Sequence, residues 1–195
     1  MYGLSAITPQ GDRNDDMADA GVEPVAVIGM SCRLPGGATD PQRLWEMLAR
    51  GVSAWTPGPS EERFRMESFY DPNDPYAGTT NTHGGHFLED DIAEFDAAFF
   101  GIHPLEAMGM DPQQRHLLEL AYETFENAGL NRRQLWGSNT GVYVGQWTTD
   151  YAEVLARDPD YPALYHTTGV GPAISSNRIS YQFNLKGPSF TVDTG

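Results

Sequence analysis

Leu185-Lys186-Gly187-Pro188-Ser189-Phe190-Thr191-Val192-Asp193-Thr194-Gly195 is the stretch that decides the reading of this chain. A Gly-Pro turn leads into a short alternating run. Phe190 and Val192 fall on one face, Thr191 and Asp193 on the other. That alternation predicts a strand heading into a core, followed by a small residue where the chain turns sharply. Strand-to-turn junctions of this kind are where many α/β enzymes mount a nucleophile. Here the sequence stops before a nucleophile is reached.

Working outward from that stretch, four blocks carry a resemblance. They are Ser175 to Tyr181 with Leu185 to Gly195, Pro24 to Gly37 (PVAVIGMSCRLPGG), Phe95 to Arg115 (FDAAFFGIHPLEAMGMDPQQR) and Gly137 to Gly145 (GSNTGVYVG). In this order they resemble the first part of the ketosynthase domain of polyketide synthases. The runs Asn81 to Leu88 and Gly137 to Thr140 are similar to those of fungal, highly reducing iterative synthases. The resemblance implies an α/β, thiolase-like layered sandwich, with mixed β-sheets between helices, of which this chain covers part of the first half. It implies two regions, a disordered acidic leader over 1–23 and the ketosynthase segment over 24–195. Val192, Asp193, Thr194 and Gly195 then form the approach to a cysteine expected just after Gly195, with Gly195 standing where alanine is more usual. Asp111, Arg115, Asn177 and Arg178 are the structural signature. No catalytic residue is assigned within the chain, because the family's two catalytic histidines lie downstream of its cysteine.

The chemistry implied is decarboxylative condensation of an acyl thioester with a malonyl group on an acyl carrier protein. No metal or cofactor is bound directly; the phosphopantetheine arm of the carrier presents the substrate. The implied partners are the carrier, other domains of the same synthase and a second copy in a homodimer. The rival reading is a non-catalytic remnant, at most a pairing segment.

Composition is compatible with this. A hydrophobic content of 39% suits a soluble globular protein in the cytoplasm. No apolar run is long enough to span a bilayer, and the first residues lack a secretory pattern. Cys32 is the single cysteine, so an internal disulfide is excluded. A formal charge of −15 repels phosphate backbones and argues against nucleic acid. The same charge sits awkwardly with an acidic carrier. Arg132 and Arg133, the adjacent basic pair, read either as a carrier-docking patch or as a solvated helix-to-loop connection, and the second reading is favoured.

Local signals place several elements. Val25 to Ile28 predicts a buried strand, apolar on both faces. Asp40-Pro41 and Asp111-Pro112 each predict a capped helix start, with Gly51 and Gly129 as stops. Leu44, Met47 and Leu48 give the first helix its apolar stripe. Asp91 to Phe100 predicts a helix that brings Ile92, Phe95 and Phe99 together. Residues 56–86 read as a long irregular stretch, Thr140 to Gly145 as a second buried strand. Asp150 to Ala156 and Pro172 to Phe183 read as helices.

Each reactive side chain has a structural alternative. Cys32 is the one thiol, with Arg33 adjacent, but it follows an apolar run and is read as a small core residue. His83 and His86 lie three apart in a Gly-rich loop without two further zinc ligands; His103, His116 and His166 inherit no catalytic role. Asp111 is read as a helix cap and Arg115 as a tie between segments through multiple hydrogen bonds. Asp193 is read as an inward polar strand residue in a supporting role. Gly29 to Gly37 lacks phosphate-loop spacing, and no G-x-S-x-G elbow is present.

Overall fold

The computed structural model describes residues 24–193, apart from 60, 62, 74–75, 158–159 and 161–162. The leader over 1–23, and Thr194 and Gly195, lie outside the described residues.

Helix α1 (Pro41–Ala49) starts as its sequence dictates: the Asp40 carboxylate accepts from the Arg43 N–H, and Pro41 opens the first turn. Strands β1 (Trp55–Thr56) and β2 (Gly85–His86) pair antiparallel and close the base of the long irregular excursion between them. Then come α2 (Pro104–Gly109), α3 (Pro112–Asn127) and the short α4 (Arg132–Leu135), the last set by a capping box between Asn131 and Gln134. Strand β3 (Val142–Gly145) is joined to β4 (Ser189–Val192) through α5 (Asp150–Ala156), α6 (His166–Val170) and α7 (Pro172–Phe183). β3 and β4 are parallel, in register Val142↔Ser189 to Gly145↔Val192. A parallel pair needs a crossover, and these helices supply it.

The core lies where α3 and α7 meet the β3–β4 pair. Phe100, Met110, Leu118, Leu135, Val144, Ile179, Phe183 and Leu185 are buried together. Asp111 caps α3 as expected, and Gly129, at φ +71°, follows the last turn.

Three expectations need correction. Val25, Val27 and Ile28 are 95, 81 and 67% exposed, and no described strand pairs with them. A run apolar on both faces needs strands beside it and layers above and below, and none of the described residues supplies them. The segment is instead anchored just after this run, where the Ser31 Oγ donates to the Leu120 carbonyl (2.8 Å) and the Met30 N–H to Asn127 (3.0 Å), both on α3. Asp91 to Phe100 is a chain of turns, not a helix. Asp91 and Asp96 side chains accept from the Ala93 and Phe99 N–H groups, an alternative to helical bonding that aspartate favours. The aromatics still converge, but through ring contacts: Phe95 stacks on Phe100 at 5.4 Å, and Phe99 meets Phe100 and Tyr122 edge-on. β3 is covered on one face only, with Val144 buried and Tyr143 63% exposed.

The alternation in β4 left its facing open, and the structure sets it. Its apolar face points outward, with Phe190 48% and Val192 39% exposed. Its polar face, Ser189 and Thr191, turns toward α7. Ser176 and Asn177 of α7 offer polar partners to that side, while Phe190 pairs edge-on with Tyr143 at 4.8 Å on the other.

Close packing at one glycine is testable. Gly169 in α6 has no room for a Cβ, which would run into the carbonyl of Gly109. The Gly169 carbonyl also accepts from the Asp111 N–H (2.9 Å), so α6 cannot shift away without losing that bond. Gly169→Ala in the complete protein is expected to cost about 3 kcal/mol, the upper part of the overpacking range. A chemical-denaturation shift below a third of that would contradict the contact.

Candidate functional site

The side chains singled out by the sequence assemble in two groups around the start of α3 and the face of α7. Arg178 is the hub of the first. Its Nη1 donates to Glu106 Oε1 at 2.6 Å, its Nε to Gln114 Oε1 at 3.1 Å and its Nη2 to the Thr168 carbonyl at 3.0 Å. One guanidinium thus ties α2, α3 and α6 to α7 through a rigid fork of donors. Gln114 is 1% exposed and also donates to the Gly171 carbonyl (3.4 Å). Asn177, the neighbour of Arg178, accepts from the Ser189 Oγ (2.9 Å), which links this group to β4.

The second group is a buried hydroxyl and amide cluster that the sequence reading missed. The Ser175 Oγ donates to Gln146 at the end of β3 through a short bond. The Ser176 N–H donates to Thr191 Oγ1 (3.3 Å), and the Thr191 hydroxyl donates to Ser176 Oγ (3.1 Å). Gln113 and Gln146 both donate to the Thr148 carbonyl, at 3.2 and 3.4 Å. Period-2 polar residues in β4 beside a Ser-Ser-Asn run in α7 were the available signal. The reading of Asp193 as an inward polar strand residue pointed to this face without finding its partners on α7.

Asp111 is 2% exposed. Burial pushes its carboxyl above the usual range; bonds from the Gln113 backbone and side chain and the charge of Arg115 oppose this, and Asp150 adds to it. A carboxyl whose pKa is raised on folding holds its proton where the unfolded chain has lost it. Its contribution is therefore most favourable below the ordinary value of 3.8 and declines as pH rises from there to the raised value. Asp111→Asn keeps an acceptor for the Gln113 N–H and removes the titration. Its stability relative to the parent is expected to rise from about pH 4 upward and then level off. Parallel pH profiles of the two proteins would contradict that.

Arg115 departs from its expected role. A single hydrogen bond, Nη1 to the Ala93 carbonyl at 3.2 Å, ties it to the 91–100 turns, and its buried Nε has no partner. The tie through multiple bonds belongs to Arg178. Asp193 is exposed at the end of β4, so the inward polar positions are Ser189 and Thr191 instead.

Cys32 lies two residues before the turn closed by the Leu34↔Ala38 bridge, and its Sγ–H donates to the Ala38 carbonyl at 3.6 Å. Burial first, then Asp40 and Glu123, push its thiol up against the weaker pull of Arg33. Arg33 itself is engaged by Glu123 at 2.7 Å. This is the opposite of an activated thiolate. His83 packs against Tyr70 at 4.6 Å, the His103 ring nitrogen accepts from the Leu105 N–H, and His116 lies 3.6 Å from Glu119. Among the described residues no three His, Cys, Asp or Glu side chains are placed to hold a metal, and no helix is long and apolar enough to cross a membrane.

The arrangement can do one thing chemically: hydroxyl and amide groups of α7 hold Ser189 and Thr191, the inner face of β4. The chain is similar to several known proteins. The chain is 68% identical over 177 residues to a highly reducing polyketide synthase of Dothideomycetidae sp., covering 91% of this chain and 7% of that protein. It is 67% identical over 173 residues to a highly reducing polyketide synthase of Fusarium pseudograminearum, covering 89% and 7%. The chain therefore spans only a small part of the curated relatives it matches. Among solved structures it is similar to the ketosynthase from module 6 of the bacillaene synthase of Bacillus subtilis, with TM-score 0.71, 36% identity and coverage of 87% of this chain and 26% of that one. It is similar also to an oxazolomycin ketosynthase domain of Streptomyces albus, with TM-score 0.74, 32% identity and coverage of 86% and 28%. These neighbours carry the thiolase-like α/β fold. The family described as "Beta-ketoacyl synthase, N-terminal domain" matches residues 22–195, and the chain belongs to it.

Proposed function

We propose that residues 24–195 are the N-terminal part of the ketosynthase of a multidomain, highly reducing polyketide synthase, and that β4 delivers the condensing cysteine immediately beyond Gly195. The observation that carries this reading is the support of β4. Ser176 and Asn177 hold its inner face, and Arg178 locks the same helix to α2, α3 and α6. Val192, Asp193, Thr194 and Gly195 serve as the approach to the nucleophile. Asp111, Arg115, Asn177 and Arg178 serve as its scaffold.

In the reaction, the cysteine thiolate attacks an acyl thioester and displaces the carrier thiol. Loss of carbon dioxide from the malonyl-carrier leaves an enolate, whose carbon attacks the acyl-cysteine carbonyl. The carbon–carbon bond forms as the thiolate leaves. The phosphopantetheine arm of the acyl carrier protein brings both substrates. The complete protein works as a cytoplasmic homodimer together with the other domains of its own polypeptide, without nucleic acid or membrane. The alternative, a non-catalytic remnant that at most pairs with other chains, is separated from this reading by the nucleotides after the Gly195 codon: a Cys-Ser-rich continuation supports the synthase and a stop codon the remnant.

Acyl-trapping tests the assignment. The complete synthase is incubated with a labelled acyl thioester, digested, and the labelled peptide sequenced. The label is expected on the peptide that continues from β4 past Thr194. A label on Cys32, or on no cysteine, would overturn it.

A further inference from the structure

Two consecutive residues of α7 reach two neighbouring strands at the same level. Ser175 and Ser176 are 1% and 0% exposed. The Ser175 Oγ donates to the side-chain carbonyl of Gln146, the buried residue that follows β3. The Ser176 N–H donates to Thr191 Oγ1 in β4 at 3.3 Å, and the Thr191 hydroxyl donates back to Ser176 Oγ at 3.1 Å. The two strands are joined at this level too. The Gln146 N–H donates to the Val192 carbonyl at 3.1 Å, just past the last paired residues, Gly145 and Val192. Adjacent residues on a helix point about 100° apart, and neighbouring strands lie roughly 4.8 Å apart, so a Ser-Ser pair can serve two strands at once.

Every bond in this group has a fixed direction, because an N–H can only donate and a carbonyl can only accept. The Ser176 N–H gives to Thr191, Thr191 gives to Ser176 Oγ, and Ser176 Oγ gives to the Ala173 carbonyl at 3.3 Å. Gln146 accepts from Ser175 through its amide oxygen and donates through its nitrogen to the Thr148 carbonyl at 3.4 Å. Apolar side chains of similar shape would pack the same helix on the same strands at little cost in stability. What the hydroxyls add is direction: a satisfied buried network admits one arrangement, whereas apolar surfaces tolerate sliding. The bonds close within this chain, so they do not depend on what covers its outer faces.

We infer that Ser175 and Ser176 are positioning residues for acyl transfer. Through Gln146 and Thr191 they set the last rung of the β3–β4 ladder, and with it the direction in which the chain leaves β4 toward the nucleophile. The inference rests on the placement of the cysteine just beyond Gly195 proposed above. In acyl transfer that cysteine's sulfur forms a bond to the acyl carbon as the carrier thiolate leaves, and it must approach the carbonyl from one direction. A misplacement of about 1 Å in such a step costs up to about 100-fold. Alkylation of the same sulfur by iodoacetamide, which displaces iodide from a small, freely diffusing reagent, makes no such demand. The ratio of the two rates therefore reports the sulfur's place and is insensitive to the fraction of protein folded.

Both rates are measured in the complete synthase, at the peptide that continues past Thr194, with labelled acetyl pantetheine and with iodoacetamide. Thr191→Val keeps the shape and deletes the hydroxyl. It is expected to lower the acetylation-to-alkylation ratio by about ten-fold or more. Thr191→Ser restores the hydroxyl and should return the ratio to within about three-fold of the parent. Ser175→Ala releases Gln146 alone and should lower the ratio by about three-fold or more; it carries the test if Thr191→Val does not fold. A ratio unchanged in Thr191→Val or Ser175→Ala, or not restored by Thr191→Ser, would overturn the inference, since the hydroxyls would then serve packing alone. If the unaltered synthase takes the acetyl label elsewhere, the reading of β4 as the approach to the nucleophile fails. If the label lies there and the variants keep the parent's ratio, the positioning role alone fails.

Discussion

A polypeptide consisting only of residues 1–195 is expected to release no carbon dioxide from malonyl-carrier above a protein-free control, in the presence of an acyl thioester. Its one thiol is the reason. Cys32 is held by the Ala38 carbonyl, and burial, Asp40 and Glu123 all favour its neutral form. A neutral thiol is a poor nucleophile, and the guanidinium that would activate it, Arg33, is bound to Glu123. The histidines offer no substitute. His83 is against Tyr70, His103 caps α2, and His116 is beside Glu119. Loss of a covalent nucleophile that acts together with its acid–base partners costs at least about 10³-fold, so the rate should fall to background. Turnover clearly above control, abolished by Cys32→Ala, would reverse the assignment. In the complete synthase, the same Cys32→Ala change should leave condensation within about two-fold, as befits a small packed residue.

The second large effect is expected at Arg178. Its side chain is 11% exposed, and its partner Glu106 is 25% exposed. Truncation to alanine leaves the Glu106 carboxylate, the buried Gln114 carbonyl oxygen and the Thr168 carbonyl without their donor. Breaking a buried pair from one side costs about 3–5 kcal/mol, since the remaining charge stays desolvated and unpaired. The Arg178→Met/Glu106→Met double variant should lose less than Arg178→Ala alone, because neither charge then remains. Arg115→Ala should cost less again, about 1–3 kcal/mol, as its one hydrogen-bonded tie is to the Ala93 carbonyl. Urea denaturation of the complete ketosynthase ranks the three. An Arg178→Ala loss below about 1 kcal/mol, or a larger loss for Arg115→Ala, would show that the hub was misplaced.

Helix starts were the most legible part of the fold. Asp40-Pro41 and Asp111-Pro112 specify their caps within a few residues, and both helices begin where those pairs stand. The same holds for Asp150–Ala156 and Pro172–Phe183, whose spans match the pattern read from the sequence. The exception, Asp91 to Phe100, is instructive. Its apolar spacing is helical, but Asp91 and Asp96 bond to backbone N–H groups two and three residues ahead and hold turns instead.

The family could likewise be read from four ordered blocks, and the comparison with known ketosynthases agrees. What the sequence by itself determined, then, was where α1 and α3 start, the spans of α5 and α7, and the family. Which side of each strand is covered was decided only by the tertiary structure. Phe190 and Val192 alternate with Ser189 and Thr191, and alternation alone does not say which set is inward. Ser176 and Asn177 of α7 settle it by meeting the hydroxyls, from positions 15 and 12 residues away in sequence. Arg178 was visible as a signature residue, but its partners Glu106 and Gln114 lie 72 and 64 residues away and become neighbours only when α2, α3 and α7 pack. Caps and turns are short-range hydrogen bonds that a few residues specify; strand facing and buried charge pairing depend on partners that the chain brings together only on folding.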